Sequence, residues 1–334
     1  MTGEGLQAAA ASKSAAIQAI SLTKTFGERV CVDHLSFTVY PGELYALLGD
    51  NGAGKTTTIN MLTTLLRPTS GQIYLCGFDA IKQAEKTKGA FGVVSQEVAL
   101  YGELTAFENL AFIADLYHLP KRETEQRIGQ LLQQAGLADR AHDLAGTFST
   151  GMQRKLSICI AMLHQPKVIF MDEPTVGLDP ASRRNIWEAL VALKRQGVTV
   201  LLTTHYLEEA EFLADRIGII RRGQMVMEGT IDELRSQIRA VRTVTVTCRE
   251  GIDDKDFAAK AARFTGEQHG TVNLDTFRNQ IIFTPPNDCV LVDYLEKALA
   301  WLRAENVPFE KFATSEPSLE DIFLSVQSGR TGGC

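Results

Sequence analysis

The stretch Gly49-Asp50-Asn51-Gly52-Ala53-Gly54-Lys55-Thr56-Thr57 constrains this chain more than any other, because it fits G-x-x-x-x-G-K-[ST] with Gly49, Gly54, Lys55 and Thr56 in register. The apolar run Leu44-Tyr45-Ala46-Leu47-Leu48 before it reads as a buried strand, and Thr57-Thr58-Ile59-Asn60-Met61-Leu62 after it as the start of a helix. That is the context in which the pattern binds phosphate. The glycines let the backbone wrap a polyphosphate with its N–H groups inward, and the helix N-terminus adds partial positive charge. Lys55 is then placed to reach β- and γ-phosphates, and Thr56 to offer its hydroxyl to Mg²⁺. A glycine-rich turn that matches by chance is the alternative, and the strand and helix flanks weigh against it.

With 334 residues the chain is long enough for one large and one small domain. A hydrophobic share of 45% and a charged share of 22% place it among ordinary soluble globular chains. The formal charge of -6 provides no general basic footprint, so no nucleic-acid partner is expected, although a local basic patch stays open. Its six cysteines are scattered without a C-x-x-C pair, which argues against a disulfide framework or zinc site and suits a reducing cytosol. No apolar run approaches the roughly 18 to 20 residues that span a bilayer. Residues 1–16 are rich in Ala, Ser and Gly and read as a flexible lead-in. If the protein works at a membrane, another component anchors it.

Residues 17–25 and 31–39 flank the turn Phe26-Gly27-Glu28-Arg29 and read as an antiparallel pair, after which Pro41-Gly42 turns the chain into the strand before the phosphate loop. Short strands are expected at 72–76 and 91–94. From about 98 to 165 the period is helical, with a capping box at Thr105-Ala106-Phe107-Glu108. Leu104, Phe107, Leu110, Ile113 and Tyr117 recur at helical spacing and read as core, and Ile128, Leu131, Leu132 and Ala135 continue on a second helix stopped by Gly136. Lys167-Val168-Ile169-Phe170-Met171 and Val198-Thr199-Val200-Leu201-Leu202 are further buried strands with a helix at 181–195 between them, an order that implies parallel pairing. The core is therefore α/β, with a helical insert. A hairpin turning at Arg222-Gly223 covers 217–228, and Thr230-Ile231-Asp232-Glu233 caps a helix running to about 240. Beyond 241, strands at 243–248, 280–284 and 309–314 alternate with helices at 256–264 and 290–302. A last helix at 318–326 begins with the capping box Ser318-Leu319-Glu320-Asp321, so residues 241–334 read as a separate small α+β domain.

The run through Met171 closes on Asp172-Glu173-Pro174. A carboxylate at Asp172 is placed to hold Mg²⁺ directly or through water, and Glu173 to polarise an attacking water. A mere polar turn is the alternative, which the pairing with a phosphate loop outweighs. Upstream, Phe148-Ser149-Thr150-Gly151-Met152-Gln153-Arg154-Lys155 leads into an apolar-faced helix. Such a helix start can bind an anion, but by itself it reads first as a plain N-cap.

In this order residues 18–240 resemble the ATP-binding-cassette family. Gly49 to Thr57 resembles Walker A, Gln96 the Q-loop glutamine, and Ser149-Thr150-Gly151-Met152-Gln153 the signature loop. The run ending in Asp172 and Glu173 resembles Walker B with its catalytic glutamate, Gly177-Leu178-Asp179 the D-loop, and His205 the switch histidine. Phe26, 23 residues before Gly49, is placed like the aromatic that stacks on adenine. A histidine after a strand is commonly just packed, but Thr203-Thr204 before His205 and Tyr206-Leu207-Glu208-Glu209-Ala210 after it favour a functional role.

The resemblance implies a RecA-like P-loop NTPase core with an antiparallel β subdomain and a helical subdomain, binding ATP and Mg²⁺. Thr56, Gln96 and Asp172 would attend the metal, with Gln96 sensing its occupancy. It also implies that two such domains meet head to tail, so that Ser149 to Gly151 of one faces the γ-phosphate held by Lys55 of the other. The usual signature has two glycines where Thr150-Gly151 stands here. The Thr150 side chain reduces backbone freedom near the phosphate or else donates a hydroxyl to it, and both readings stay open.

The tail from about 241, ending Glu316-Pro317-Ser318-Leu319-Glu320-Asp321-Ile322-Phe323-Leu324, resembles the C-terminal extension of cassette ATPases paired with exporters of the drug-resistance and ABC-2 kind. The stretch Leu100-Tyr101-Gly102-Glu103-Leu104 onward resembles that group too. The expected protein is thus an ATP-hydrolysing subunit, peripheral on the cytoplasmic face of a membrane, that powers separate ABC-2-type permease subunits. A soluble cassette acting on ribosomes or DNA predicts tandem cassettes, a coiled-coil insert or basic arms, none of which is present. A non-hydrolysing regulatory cassette conflicts with Glu173 and His205 both being in place.

Overall fold

The computed structural model describes residues 15–237, 243–249, 257, 260–262, 264–265, 270–286, 291–315 and 318–327. The chain divides into two units between Ile231 and Asp232.

The first unit opens with strands β1 (Ile17–Phe26) and β2 (Arg29–Val39), an antiparallel pair closed by Phe26 opposite Arg29. Of the expected lead-in, residues 1–14 lie outside the described residues, while Ala15 and Ala16 are buried. Ala16 N donates to Val39 O at 2.9 Å, and Cys76 N donates to Ala16 O at 2.9 Å. Next come β3 (Leu44–Leu48), α1 (Lys55–Leu62), β4 (Ser70–Leu75), β5 (Phe78–Asp79), α2 (Ala84–Lys88) and β6 (Phe91–Val94). The helical stretch holds α3 (Ala106–Leu116), α4 (Lys121–Gln134) and α5 (Thr150–Met162). The unit finishes with β7 (Val168–Asp172), α6 (Pro180–Arg195), β8 (Thr199–Thr204), α7 (Leu207–Leu213), β9 (Arg216–Arg221) and β10 (Gln224–Gly229).

Two sheets result. One is antiparallel, in the order β2-β1-β4-β5, and the other runs β10-β9-β3-β8-β7-β6. In the larger sheet β3 is parallel to β8 and β9, and β7 is parallel to β8 and β6. Every residue of β3, β7 and β8 is buried, as continuous apolar runs covered on both faces must be. Parallel strands end on the same edge, so the segments after β3, β6, β7 and β8 emerge side by side. A core of Ile17, Leu22, Leu35 and Phe37 from the antiparallel sheet with Tyr45, Leu47, Met61, Phe170 and Leu201 fixes that edge. Phe37 stacks on Tyr45 at 5.4 Å between centroids. Arg216 ties the two sheets, donating to Thr38 O at 3.0 Å and to Glu43 Oε1 at 3.2 Å.

The capping box before α3 is formed as the sequence indicates. Thr105 N donates to Glu108 Oε2 at 2.8 Å, and Glu108 N to Thr105 Oγ1 at 3.1 Å. The core stripe differs. α3 packs through Ala106, Asn109, Leu110 and Ala114, whereas Tyr117 is exposed. The cause is Asn109, whose amide donates to the carbonyls of Tyr101, Leu104 and Thr105 and so folds the preceding loop onto that face. The aromatics pair at the rim instead, Tyr101 edge-on to Phe112 and Tyr117 stacked on His164.

α8 (Ile231–Gln237) falls at the division, and the expected continuation to 240 lies outside the described residues. The second unit is α+β. Strands β11 (Thr243–Cys248), β12 (Thr271–Asp275), β13 (Gln280–Thr284) and β14 (Phe309–Ser315) form an antiparallel sheet in the order β12-β13-β11-β14. Helices α9 (Leu291–Ala304) and α10 (Leu319–Gln327) complete it. Of the helix expected at 256–264, only residues 257, 260–262 and 264 are described, all helical. Val244, Val246, Phe264, Ile281, Phe283, Tyr294 and Leu302 make its core. Ser318 Oγ accepts from Asp321 N at 3.2 Å, and Asp321 Oδ2 accepts from Ser318 N at 2.9 Å, closing the last capping box.

Two glycines separate packing from propensity. A Cβ on Gly92 of β6 would lie 2.2 Å from Ala161 O of α5, so Gly92→Ala overpacks and costs about 1–3 kcal/mol. A Cβ on Gly129, within α4, meets nothing within 4 Å, so Gly129→Ala stabilises by about 0.5–1 kcal/mol. Urea denaturation of the two variants should give shifts of opposite sign.

Candidate functional site

The loop after β3 enters α1 through Gly54, which caps the helix at φ 107° with no side-chain hydrogen bond to its first amides. Those N–H groups are therefore available to an anion. The loop backbone is closely held, since a Cβ on Gly49 would fall 2.5 Å from Ile220 O and one on Gly54 2.7 Å from Cys31 O. Lys55 is buried, and its Nζ donates to Gly49 O at 2.8 Å and Asp50 O at 3.1 Å.

Lys55 Nζ also lies 3.2 Å from Glu173 Oε1, and His205 Nδ1 lies 3.1 Å from that same oxygen. Glu173 is the first residue after β7 and His205 the first after β8. Glu173 is buried and adopts φ 47°, a left-handed conformation that side chains occupy only when their surroundings enforce it. The enforcement comes from β8, where Thr203 O and Thr203 Oγ1 both accept from Glu173 N at 3.1 Å. The Thr203 hydroxyl in turn donates to Asp172 Oδ1 at 2.5 Å, holding a second buried carboxylate beneath the loop. Behind them, fully buried Glu209 accepts from Thr175 Oγ1 at 2.8 Å and Trp187 Nε1 at 3.1 Å, and burial raises its pKa above the ordinary carboxylate value.

A cleft of about 600 Å³ opens above these groups. Asn51, Gly52, Gly54, Lys55, Thr56 and Thr57 line it from the loop, with Gln96, Glu173 and His205 opposite. Ala53 is buried under the loop, and Gly49 contributes the carbonyl that holds Lys55. Phe26 is not among the lining residues. It sits at the hairpin tip, 48% exposed, with Lys24 Nζ 5.0 Å from its ring centroid. Its cross-strand partner Arg29 lines the cleft, together with Cys31 and Val176. The residues singled out in the sequence did not include these three, and the hairpin pairing of Arg29 with Phe26 was the available signal.

Ser149, Thr150, Gly151 and Asp179 form a second group that does not line the cleft. Ser149 caps α5, its Oγ accepting from Met152 N at 3.3 Å. Thr150 is the exposed first residue of α5 without a positive φ, so its position makes no use of glycine's freedom. Gly151 faces α6, where a Cβ would come 2.8 Å from Ser182 Oγ. Asp179 caps α6, its Oδ1 accepting from Ala181 N and Ser182 N at 3.0 Å each. Hydrogen bonds from Ser182, side chain first and then backbone, hold its carboxyl below the usual range.

The donor set suits a hard cation. Thr56 offers a hydroxyl, Gln96 an amide and Asp172 a carboxylate. Among the described residues no group of three or more His, Cys, Asp and Glu could hold a metal by itself. Mg²⁺ accepts that arrangement, since it keeps several waters and takes further ligands from substrate phosphates.

The ABC transporter family profile matches residues 32–176. The linearmycin resistance ATP-binding protein LnrL of Bacillus subtilis (strain 168) is 38% identical over 315 residues, 94% of this chain and 99% of that one. This chain belongs to the ABC transporter family. The daunorubicin resistance ATP-binding protein DrrA3 of Streptomyces coeruleorubidus is 36% identical over 90% of this chain and 92% of its own. Among solved structures, the dimeric post-hydrolysis state of the ATP-binding cassette MJ0796 bound to ADP and Pi matches with a TM-score of 0.58 and 26% identity, over 64% of this chain and 98% of that one. The RecA-like P-loop core is thus the ABC cassette fold, and this chain is the ATP-binding subunit of an ABC transporter.

In this cassette Thr203→Val keeps the shape of β8 but removes the hydroxyl that bridges Glu173 N and Asp172. The loss of a buried donor should cost about 1–3 kcal/mol, measured by urea denaturation.

Proposed function

We propose that this cassette hydrolyses ATP to drive an exporter, as one of two nucleotide-binding domains that dimerise beneath ABC-2-type permease subunits on the cytoplasmic face of a membrane. The observation that carries the hydrolytic reading is the single Glu173 oxygen shared by Lys55 and His205 at the floor of the cleft. The export reading is supported by relatives that bear the names of linearmycin and daunorubicin resistance proteins. Among the described residues no helix is long and apolar enough to cross a membrane.

The substrate's β- and γ-phosphates lie in the loop, held by its backbone N–H groups and by Lys55. They compete with Glu173 for the Lys55 ammonium, which leaves the carboxylate free to orient a water and accept its proton. His205 keeps its Nδ1 contact with Glu173 and turns its other ring nitrogen toward the γ-phosphate, so base and phosphate are aligned by one side chain. Thr56, Gln96 and Asp172 would hold Mg²⁺. When bound, that ion neutralises charge on the transferring phosphoryl group. Phe26 supplies a face for adenine at the hairpin tip, and a second cassette presents Ser149, Thr150, Gly151 and Asp179 to the nucleotide from across the interface.

Glu173→Gln should lower the hydrolysis rate by at least about a hundredfold while ATP binding persists, with the dimer accumulating in ATP. Hydrolysis that survives the substitution excludes Glu173 as the base. Co-purification of the tagged chain from detergent-solubilised membranes should bring down a multi-span protein, and its failure to do so excludes the exporter reading.

A further inference from the structure

Arg154 lies one turn into α5, five positions beyond the signature serine Ser149, and it is only 2% exposed. Its Nη1 donates to Ser95 O at 2.5 Å and its Nη2 to Gln96 O at 2.6 Å. Those two carbonyls belong to the turn that directly follows β6, and Gln96 is among the residues that line the cleft. The guanidinium fork therefore grips the backbone of a residue that lines the cleft. A planar fork spans adjacent carbonyls with fixed geometry, which a lysine ammonium does not reproduce.

Two more contacts join β6 to the far end of α5. Gly92 packs so closely on Ala161 that no Cβ fits between them, and a ring nitrogen of His164 meets Phe91 O at 2.9 Å. Burial lowers the pKa of the Arg154 guanidinium, and the charge of buried Asp172 partly offsets that shift. These contacts join β6 and the turn after it to both ends of α5, so the Gln96 turn and the Ser149 cap are linked through one helix.

We propose that Arg154 is a positioning residue that converts the placement of Gln96 in one cassette's cleft into the presentation of Ser149 to Gly151 toward the partner's nucleotide. This inference rests on the dimeric ATPase reading above. Arg154 touches neither substrate nor reacting atoms and acts only through the Gln96 turn, so its loss disturbs communication between the two sites more than binding at either.

The test uses the full chain with Arg154→Lys, Arg154→Gln, Gln96→Ala and the Gln96→Ala/Arg154→Lys pair. Hydrolysis is followed against ATP concentration, and ATP-driven dimerisation is measured by light scattering in a Glu173→Gln background. Arg154→Lys is expected to lower the melting temperature, because two hydrogen bonds from the buried guanidinium to carbonyls are lost, but to fold and to keep the monomer's ATP affinity. Its kcat and its ATP-driven dimerisation should each fall about tenfold, with the Hill coefficient moving toward one. Because Gln96→Ala leaves the backbone carbonyl in place, adding Arg154→Lys to it should cause little further loss, a non-additivity that a purely structural clamp would not produce. Wild-type kcat and cooperativity in Arg154→Lys, additive losses in the pair, or failure of both Arg154 variants to fold would each overturn the inference. A Glu173→Gln parent, with Arg154 intact, that does not dimerise on ATP would overturn the dimer reading and this inference together, whereas the other outcomes leave that reading standing.

Discussion

One carboxyl oxygen of Glu173, set between the Lys55 ammonium at 3.2 Å and the His205 ring at 3.1 Å, is the contact on which the rest of the site depends. Lys55 and Glu173 are both buried, so each needs the other's charge or a ligand's to repay its loss of water. The contact exists because β3, β7 and β8 are adjacent and parallel. Shifting β7 or β8 by a residue would turn Glu173 or His205 to the opposite face. Thr203 makes the arrangement rigid. Its carbonyl and hydroxyl hold Glu173 N in a backbone conformation that the residue would not adopt freely.

The residues proposed for the site divide into two sets. The cleft gathers the phosphate loop, Gln96, Glu173 and His205, while Ser149, Thr150, Gly151 and Asp179 lie where α5 and α6 begin. Both helix starts already have side-chain caps, so any partner they meet is approached through exposed hydroxyls and remaining amides rather than through an empty helix end. Arg154 links the two sets from inside, because its fork holds the backbone of the residue that lines the first while its helix begins with the residue that starts the second.

Features set by a few neighbouring residues were legible in the sequence. The three apolar runs at 44–48, 168–171 and 198–202 stand out as buried strands, and the capping boxes at Thr105 and Ser318 form as their spacing indicates. β12 was not legible. Its apolar positions Val272 and Leu274 are separated by Asn273 and followed by a four-residue turn, and the alternation has meaning only beside β13. The α3 stripe was legible at Leu110, but the packed face also takes Asn109, a polar residue that satisfies three carbonyls there, and Tyr117 lies exposed.

The sequence by itself determined the chemistry on offer: a phosphate loop, two carboxylates at a strand end, a histidine at another, and two capped helix starts. Each is encoded by residues within one turn or strand of one another, so local spacing suffices to reveal it. Only the tertiary structure decided which of them meet. Strand order placed β8 between β3 and β7, and so brought residues more than a hundred positions apart to one oxygen atom. The same packing left Phe26 at the hairpin tip while Arg29 faces the cleft, and turned a helix arginine onto the Gln96 turn. Those outcomes depend on which surfaces are buried together, which no window of neighbouring residues contains.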